Sequence, residues 1–172
     1  VRGDDIVAKL RSDGWTVNQR SKGEPLGRDT EIYVADTVGE LGVWYRLASV
    51  SFVGGSLVEV GGHNPYEPAQ LGSAILHGPH VFNFTDIYDK LAKGNGTALV
   101  PSAAELGGHL SEVLQPERAA ALATGAWRVV SEDSEVADRV TRVILAHLPR
   151  HGSAEPGPTA DADAEAEPAN AQ

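Results

Sequence analysis

Between Val50 and Gly72 the chain runs VSFVGGSLVEVGGHNPYEPAQLG, a passage that fits few arrangements other than strand, glycine loop and helix. Val50, Phe52 and Val53 read as a buried parallel strand, and Gly54 and Gly55, just beyond its carboxyl end, let a ligand come close to the backbone. A second pair, Gly61 and Gly62, precedes His63. Asn64 and Pro65 suit the cap and first turn of a helix reaching about Leu71, whose N-terminal amides and dipole favour an anion. Glu67 falls in that first turn, where a carboxylate can accept hydrogen bonds from a vicinal diol such as a ribose. Each signal has an ordinary alternative, because paired glycines also make tight turns and an acid in a first helical turn also complements the dipole. Their order, glycine loop then helix start then acid, points to a nucleotide pocket.

Elsewhere apolar runs alternate with helical patterns, which predicts βα units and an α/β fold with a doubly wound parallel sheet, Val50–Val53 at its centre. Ile6 and Leu10 mark an opening helix that stops near Gly14, and Trp15 to Val17 begins a strand. Glu31 to Asp36 forms a second strand, followed by a short helix from about Gly39 to Leu47. Strands are also expected at 74–77 and 97–100, and helices at 85–93 and 102–114, the last opened by a capping box of Ser102 and Glu105. Pro116 to Leu148 is helical in pattern, with a break around Glu132 to Ser134. Between the second strand and its helix, Asp36 to Leu41 bends at Gly39, which frees the amides of Gly39, Glu40 and Leu41 to meet a base or a phosphate. The competing reading is a plain βα loop with Asp36 as a helix cap.

Composition narrows the class. The 172 residues suffice for one domain with a sizeable core, and 41% apolar content argues against global disorder. There are no cysteines, so disulfides, thiolate metal sites and cysteine nucleophiles are excluded within this sequence. The net charge is −10, which speaks against nucleic-acid binding because phosphate neutralisation needs clustered Lys and Arg. Half of that charge lies in residues 151–172, where five acids stand without a Lys or Arg; removing them from the 24 acids leaves 19 against 14 bases, a net of −5. That Ala- and Pro-rich acidic tail is expected to be a disordered extension of a domain spanning residues 1–150. No cofactor is called for. His63, His77 and His80 are too scattered for a zinc site, and no carboxylate pair is spaced for magnesium. No run approaches the roughly 18 apolar residues of a membrane-spanning helix. The chain begins at Val1 and contains no Met, so an upstream segment is expected.

One family carries these residues in order. Asp36-Thr37-Val38-Gly39-Glu40-Leu41-Gly42-Val43-Trp44-Tyr45, Phe52-Val53-Gly54-Gly55-Ser56, Gly61-Gly62-His63-Asn64-Pro65, Glu67-Pro68-Ala69, Gly78-Pro79-His80 and Asn83-Phe84 resemble the C-terminal half of the 3-deoxy-D-manno-octulosonic acid (Kdo) transferases. The resemblance runs from Val1 to about Arg150. It implies the Rossmann-like, nucleotide-sugar-binding half of a GT-B glycosyltransferase, without the acceptor-binding N-terminal domain. The parent reaction so implied moves Kdo from CMP-Kdo to the lipid A precursor of lipopolysaccharide. Its setting would be the cytoplasmic face of the Gram-negative inner membrane, reached through the N-terminal region. The resemblance further implies that the backbone at Gly39, Glu40 and Leu41 reads the cytosine ring, that Gly54, Gly55 and Ser56 form the turn beneath the donor, with Ser56 a phosphate donor, and that His63 donates to the sugar carboxylate or the phosphate. The carboxylate base for the acceptor belongs to the family's other domain, so no catalytic residue is expected in this chain and the chain alone is expected to be inactive. Arg2 is the one residue here of a basic stretch that adds phosphate contacts in the family.

Two rival readings stand beside this one. Another GT-B enzyme, a UDP-sugar transferase or a sugar epimerase, would use a similar glycine loop and ribose-binding Glu, although the Gly-Gly-His-Asn-Pro run argues against it. A non-catalytic interaction module would present the cleft face to a partner instead.

Overall fold

The computed structural model describes residues 2–147, with the side chains of 133–138 left out. Six helices and five strands follow the expected alternation. They are α1 (Arg2–Ser12), β1 (Val17–Gln19), β2 (Ile32–Val34), α2 (Leu41–Leu47), β3 (Val50–Val53), α3 (Tyr66–Gln70), β4 (Ala74–His77), α4 (Thr85–Lys93), β5 (Thr97–Leu99), α5 (Leu106–Val113) and α6 (Pro116–His147). By internal contacts the chain divides into two units. The first runs to Glu135, and the second, from Val136, consists within the described residues of the last turns of α6.

All pairing is parallel, as the βα rhythm requires. The strands form two sheets, β1-β2 and β3-β4-β5, rather than one. Val50–Val53 is therefore an edge strand of its sheet, not the centre, and β4 holds that place with its residues all buried. The side-chain pattern gives the reason. β4 reads Ala-Ile-Leu-His and is covered on both faces, whereas in β3 only Ser51 and Val53 are buried.

Successive residues of β4 point to opposite faces, and each face has its own core. Ile75 joins Val53, Ala69, Ile87, Leu91, Ala126 and Val130 on one side. Ala74 and Leu76 join Val100, Val113, Ala119 and Leu122 on the other. Helix α6 contributes to both cores from a single stripe, Ala119, Leu122, Ala126 and Val130, whose spacing of three and four residues keeps them on one helical face. Full burial of Ile75 or Leu76 is worth about 1.5–3 kcal/mol each relative to exposure. The sheet is thus doubly wound, and α6 closes it over the β5 side.

That closure depends on glycines. A Cβ on Gly125 would lie 2.7 Å from the carbonyl oxygen of Gly94, and one on Gly96 would lie 2.6 Å from the Cα of Ala126, so helix backbone and turn backbone touch directly. Gly107, inside α5, faces open space. Two helix details depart from the pattern-based expectation. The break at Glu132 to Ser134 is absent, since α6 is continuous through it; polar residues in a solvent-facing helix do not by themselves unwind it. The Ser102/Glu105 box is also incomplete: a short 3-10 turn precedes α5, and the Ser102 hydroxyl donates to the Glu105 carboxylate (2.8 Å) rather than accepting a backbone amide. Leu148 and the acidic tail lie outside the described residues.

Alanine at positions 125 and 107 should act in opposite directions. Gly125→Ala forces backbone apart and should destabilise by about 1–3 kcal/mol, as overpacking does. Gly107→Ala should stabilise by roughly 0.5–1 kcal/mol through helix propensity. Thermal unfolding of the two variants beside wild type measures both, and a stabilised Gly125→Ala protein would contradict the packing described.

Candidate donor site

The carboxyl ends of β3 and β4 open into two loops that are laced together. From the first, the hydroxyl of Ser56, fully buried, donates to the Val53 carbonyl (2.6 Å) and accepts the Gly78 amide (2.8 Å) from the second. The His80 amide donates to the Ser56 carbonyl (2.9 Å), and the Asn83 amide to the Gly61 carbonyl (3.2 Å). Gly78 packs so closely on the Ser56 backbone that a Cβ there would lie 2.8 Å from the amide nitrogen of Leu57. The expected donation from the Ser56 side chain to a phosphate is therefore unavailable, because its one hydroxyl hydrogen is already used between the strand ends.

The glycine pairs do more than turn the chain. Gly55, Gly61 and Gly62 all have positive φ (69°, 99° and 75°), a conformation that side-chain-bearing residues rarely adopt. The Gly62 amide closes back onto the Gly55 carbonyl (2.9 Å), and the His63 ring then lies over Gly55, where a Cβ would come within 3.3 Å of it. Gly54 faces open space. His63 is exposed above this floor. Its carbonyl is held from below by the hydroxyl of Tyr88 (3.0 Å), a buried α4 residue whose ring packs on the buried His77 at 4.4 Å. Burial lowers the His77 pKa and raises that of Tyr88, so both stay neutral near pH 7.

The N-cap position of α3 is Pro65, and Asn64 braces the helix start from one residue earlier. Its side-chain oxygen accepts the Tyr66 amide at 3.0 Å, with Pro65 between them. Helix α3 is only five residues long, so its contribution is local amides rather than the extended dipole the sequence suggested. Glu67 is exposed in its first turn and reaches across to α2, where a Cβ on Gly42 would stand 3.3 Å from Glu67 Oε1. Tyr45 of α2 senses the same carboxylate: burial first, and then the Glu67 charge, raise its pKa. The structure thus brings Glu67 beside the start of α2, which is entered through Gly39 (φ 88°), Glu40 and the exposed Leu41. Among the described residues, no turn hydrogen bond uses the amides of Gly39, Glu40 or Leu41.

Both acids of that entry loop are engaged by three consecutive residues at the end of β1. Asp36 accepts the Gln19 side-chain amide (2.7 Å), the Ser21 hydroxyl (2.8 Å) and the Ser21 backbone amide (2.9 Å), and these bonds hold its pKa at about 2. It is a brace between segments, not a helix cap. Glu40 takes Arg20 through both oxygens, at 2.6 and 2.9 Å, and also accepts the Thr37 hydroxyl; its pKa is likewise held at about 2. A carboxylate so paired is a weak base, which removes Glu40 as a proton acceptor. Because both folded values lie below the usual carboxylate range, these contacts add stability at neutral and mildly acidic pH, lost as pH falls towards about 2. Gln19, Arg20, Ser21 and Tyr88 were invisible to motif reading, since a polar contact between segments distant in the chain leaves no periodic signal. Among the described residues no cluster of three His, Asp or Glu could hold a metal, and no helix is long and apolar enough to cross a membrane.

No protein-family model matches the chain. Curated relatives do. The 3-deoxy-D-manno-octulosonic acid transferase of Haemophilus influenzae is 31% identical over 150 residues, 86% of this chain and 35% of that protein. That of Bordetella pertussis is 34% identical over 131 residues, 73% of this chain and 30% of that protein. The chain spans about a third of the length of these relatives. Among solved structures, the C-terminal CMP-Kdo binding domain of WaaA from Acinetobacter baumannii matches with a TM-score of 0.70 and 34% identity, over 75% of this chain and 68% of that one. Fold, glycine loops and sequence agree, and the chain belongs to the Kdo transferase family, with the fold of that family's C-terminal domain.

Proposed function

We propose that this chain binds the donor in an enzyme that moves Kdo from CMP-Kdo to the lipid A precursor of lipopolysaccharide. The observation that carries the reading is Glu67, placed against the start of α2 with its carboxylate free of any ion pair among the described residues. A ribose diol there would donate to Glu67 while the base met the amides of Gly39, Glu40 and Leu41. The phosphate would then sit over Gly54 and Gly55, with His63 as the side-chain donor.

In the reaction, an acceptor hydroxyl attacks the anomeric carbon of Kdo as the bond to the phosphate oxygen breaks, and cytidine monophosphate leaves with the negative charge. The acceptor proton passes to a carboxylate outside this chain. What this chain supplies is stabilisation of the leaving phosphate by preorganised donors: His63 and the backbone of the glycine loops. Val38, Val58, Val60 and Phe82 on the loops and Leu41 at the start of α2 expose apolar surface in this region. Such a rim suits a cleft covered by a second domain. That second domain would bring the lipid acceptor and the attachment to the cytoplasmic face of the inner membrane.

Titration calorimetry of this chain with CMP, UMP and UDP tests the reading. Binding of CMP in preference to both uridine nucleotides is expected. A uridine preference would favour a UDP-sugar enzyme, and no binding to any of them an interaction module. Glu67→Ala should weaken CMP binding by about 10- to 150-fold, the cost of a charge-assisted hydrogen bond, with thermal unfolding unchanged. Supplied with CMP-Kdo and lipid acceptor, the chain alone should give no Kdo transfer, because general-base catalysis contributes about 10²–10⁴-fold and positioning contributes more. Product detected by mass spectrometry would place the base in this chain.

A further inference from the structure

We propose that Arg20 is a positioning residue for the donor cleft: its two-pronged contact with Glu40 fixes the turn from Thr37 to Leu41 so that its backbone amides stay presented to the base. The proposal rests on the donor-site reading of that turn and assigns a role to a residue that touches no ligand.

The turn needs an external hold. Gly39 has a positive φ, Val38 is fully exposed (101%), and a Cβ on Gly39 would meet nothing within 4 Å, so no packing fixes the tip. What fixes it is polar. Asp36 anchors the turn's first end to Gln19 and Ser21, and Glu40 anchors its second end to Arg20, with Thr37 bonded to the same carboxylate across the turn. Three consecutive residues of the β1 end therefore hold both ends of a loop some twenty positions later. Isolated exposed ion pairs contribute little. This one differs in being bidentate, in sharing its carboxylate with Thr37, and in closing a segment already tied at its other end.

The Arg20–Glu40 pair also changes what the turn offers a ligand. A free carboxylate at Glu40 would face an anionic donor with a like charge and would compete for the amides of its own turn. Paired with Arg20 and Thr37, the carboxylate is turned away from that role. The turn then pays no ordering cost on binding, and the fraction of molecules that are competent to bind rises accordingly.

The test uses the 172-residue chain, with CMP as the probe and amide hydrogen exchange as a readout that needs no ligand. In Arg20→Ala, exchange of the Val43 amide, which is bonded to the Glu40 carbonyl where the turn enters α2, should accelerate at least tenfold while the β4 core stays protected, and CMP affinity should fall by about 3- to 10-fold with only a slight drop in the midpoint of unfolding. Arg20→Lys, which keeps the charge without the fork, should fall between Ala and wild type. The Arg20→Ala/Glu40→Gln double variant should be no weaker than the poorer single variant. Unchanged affinity in Arg20→Ala overturns the proposal whatever the exchange shows. Lost affinity with unchanged exchange overturns it too, since Arg20 would then be touching the nucleotide. A wild-type chain that does not bind CMP overturns the donor reading itself, and the proposal with it.

Discussion

One buried hydroxyl sets the spacing on which the cleft depends. Ser56 receives the Gly78 amide and gives its proton to the Val53 carbonyl, so the exits of β3 and β4 are joined at the point where each strand becomes a loop. The join requires glycine at 78, since the backbone of Ser56 and Leu57 occupies the space of a side chain there. Everything above it, from the Gly55–Gly62 closure to the placing of His63, is built on a floor whose position is fixed by that contact. A buried polar group is costly unless paired, and here the pairing is also the architecture.

The second organising element is the use of acids as braces. In a chain of net charge −10 an anionic ligand meets repulsion, and the loops nearest the cleft contain Asp36 and Glu40. Both are absorbed by hydrogen bonds from Gln19, Arg20, Ser21 and Thr37. Arg20 compensates the Glu40 charge, while Asp36 stays ionised with its oxygens occupied by neutral donors, and the donors left over are backbone amides, which carry no net charge and need no counterion. Glu67 stands apart from these two: it lies beside α2 at Gly42, with no ion pair among the described residues.

Legibility in the sequence followed periodicity. β3, β4 and α4 fall at the expected residues, because a four-residue apolar run between glycines and an amphipathic nine-residue helix each leave a local signature. The edge position of β3 was not legible: burial on one face or two depends on which neighbours arrive from elsewhere in the chain, and Ser51, buried through its bond to Ser73, reads from sequence as an ordinary polar residue. The division into two sheets, the unbroken α6 and the 3-10 turn ahead of α5 were likewise decided by packing.

The sequence by itself determined the βα order, the glycine loops, the acid in the first turn of α3 and the family to which they belong, because each is a local pattern of residue types in a fixed order. Only the tertiary structure decided which polar groups remain available. Ser56 is consumed in joining two strand ends and Glu40 in holding a turn, while Glu67 is left beside α2 without an ion pair among the described residues. The reason is that a hydrogen bond between residues twenty positions apart depends on distance and direction in space, and neither is encoded in the identity of the residues alone.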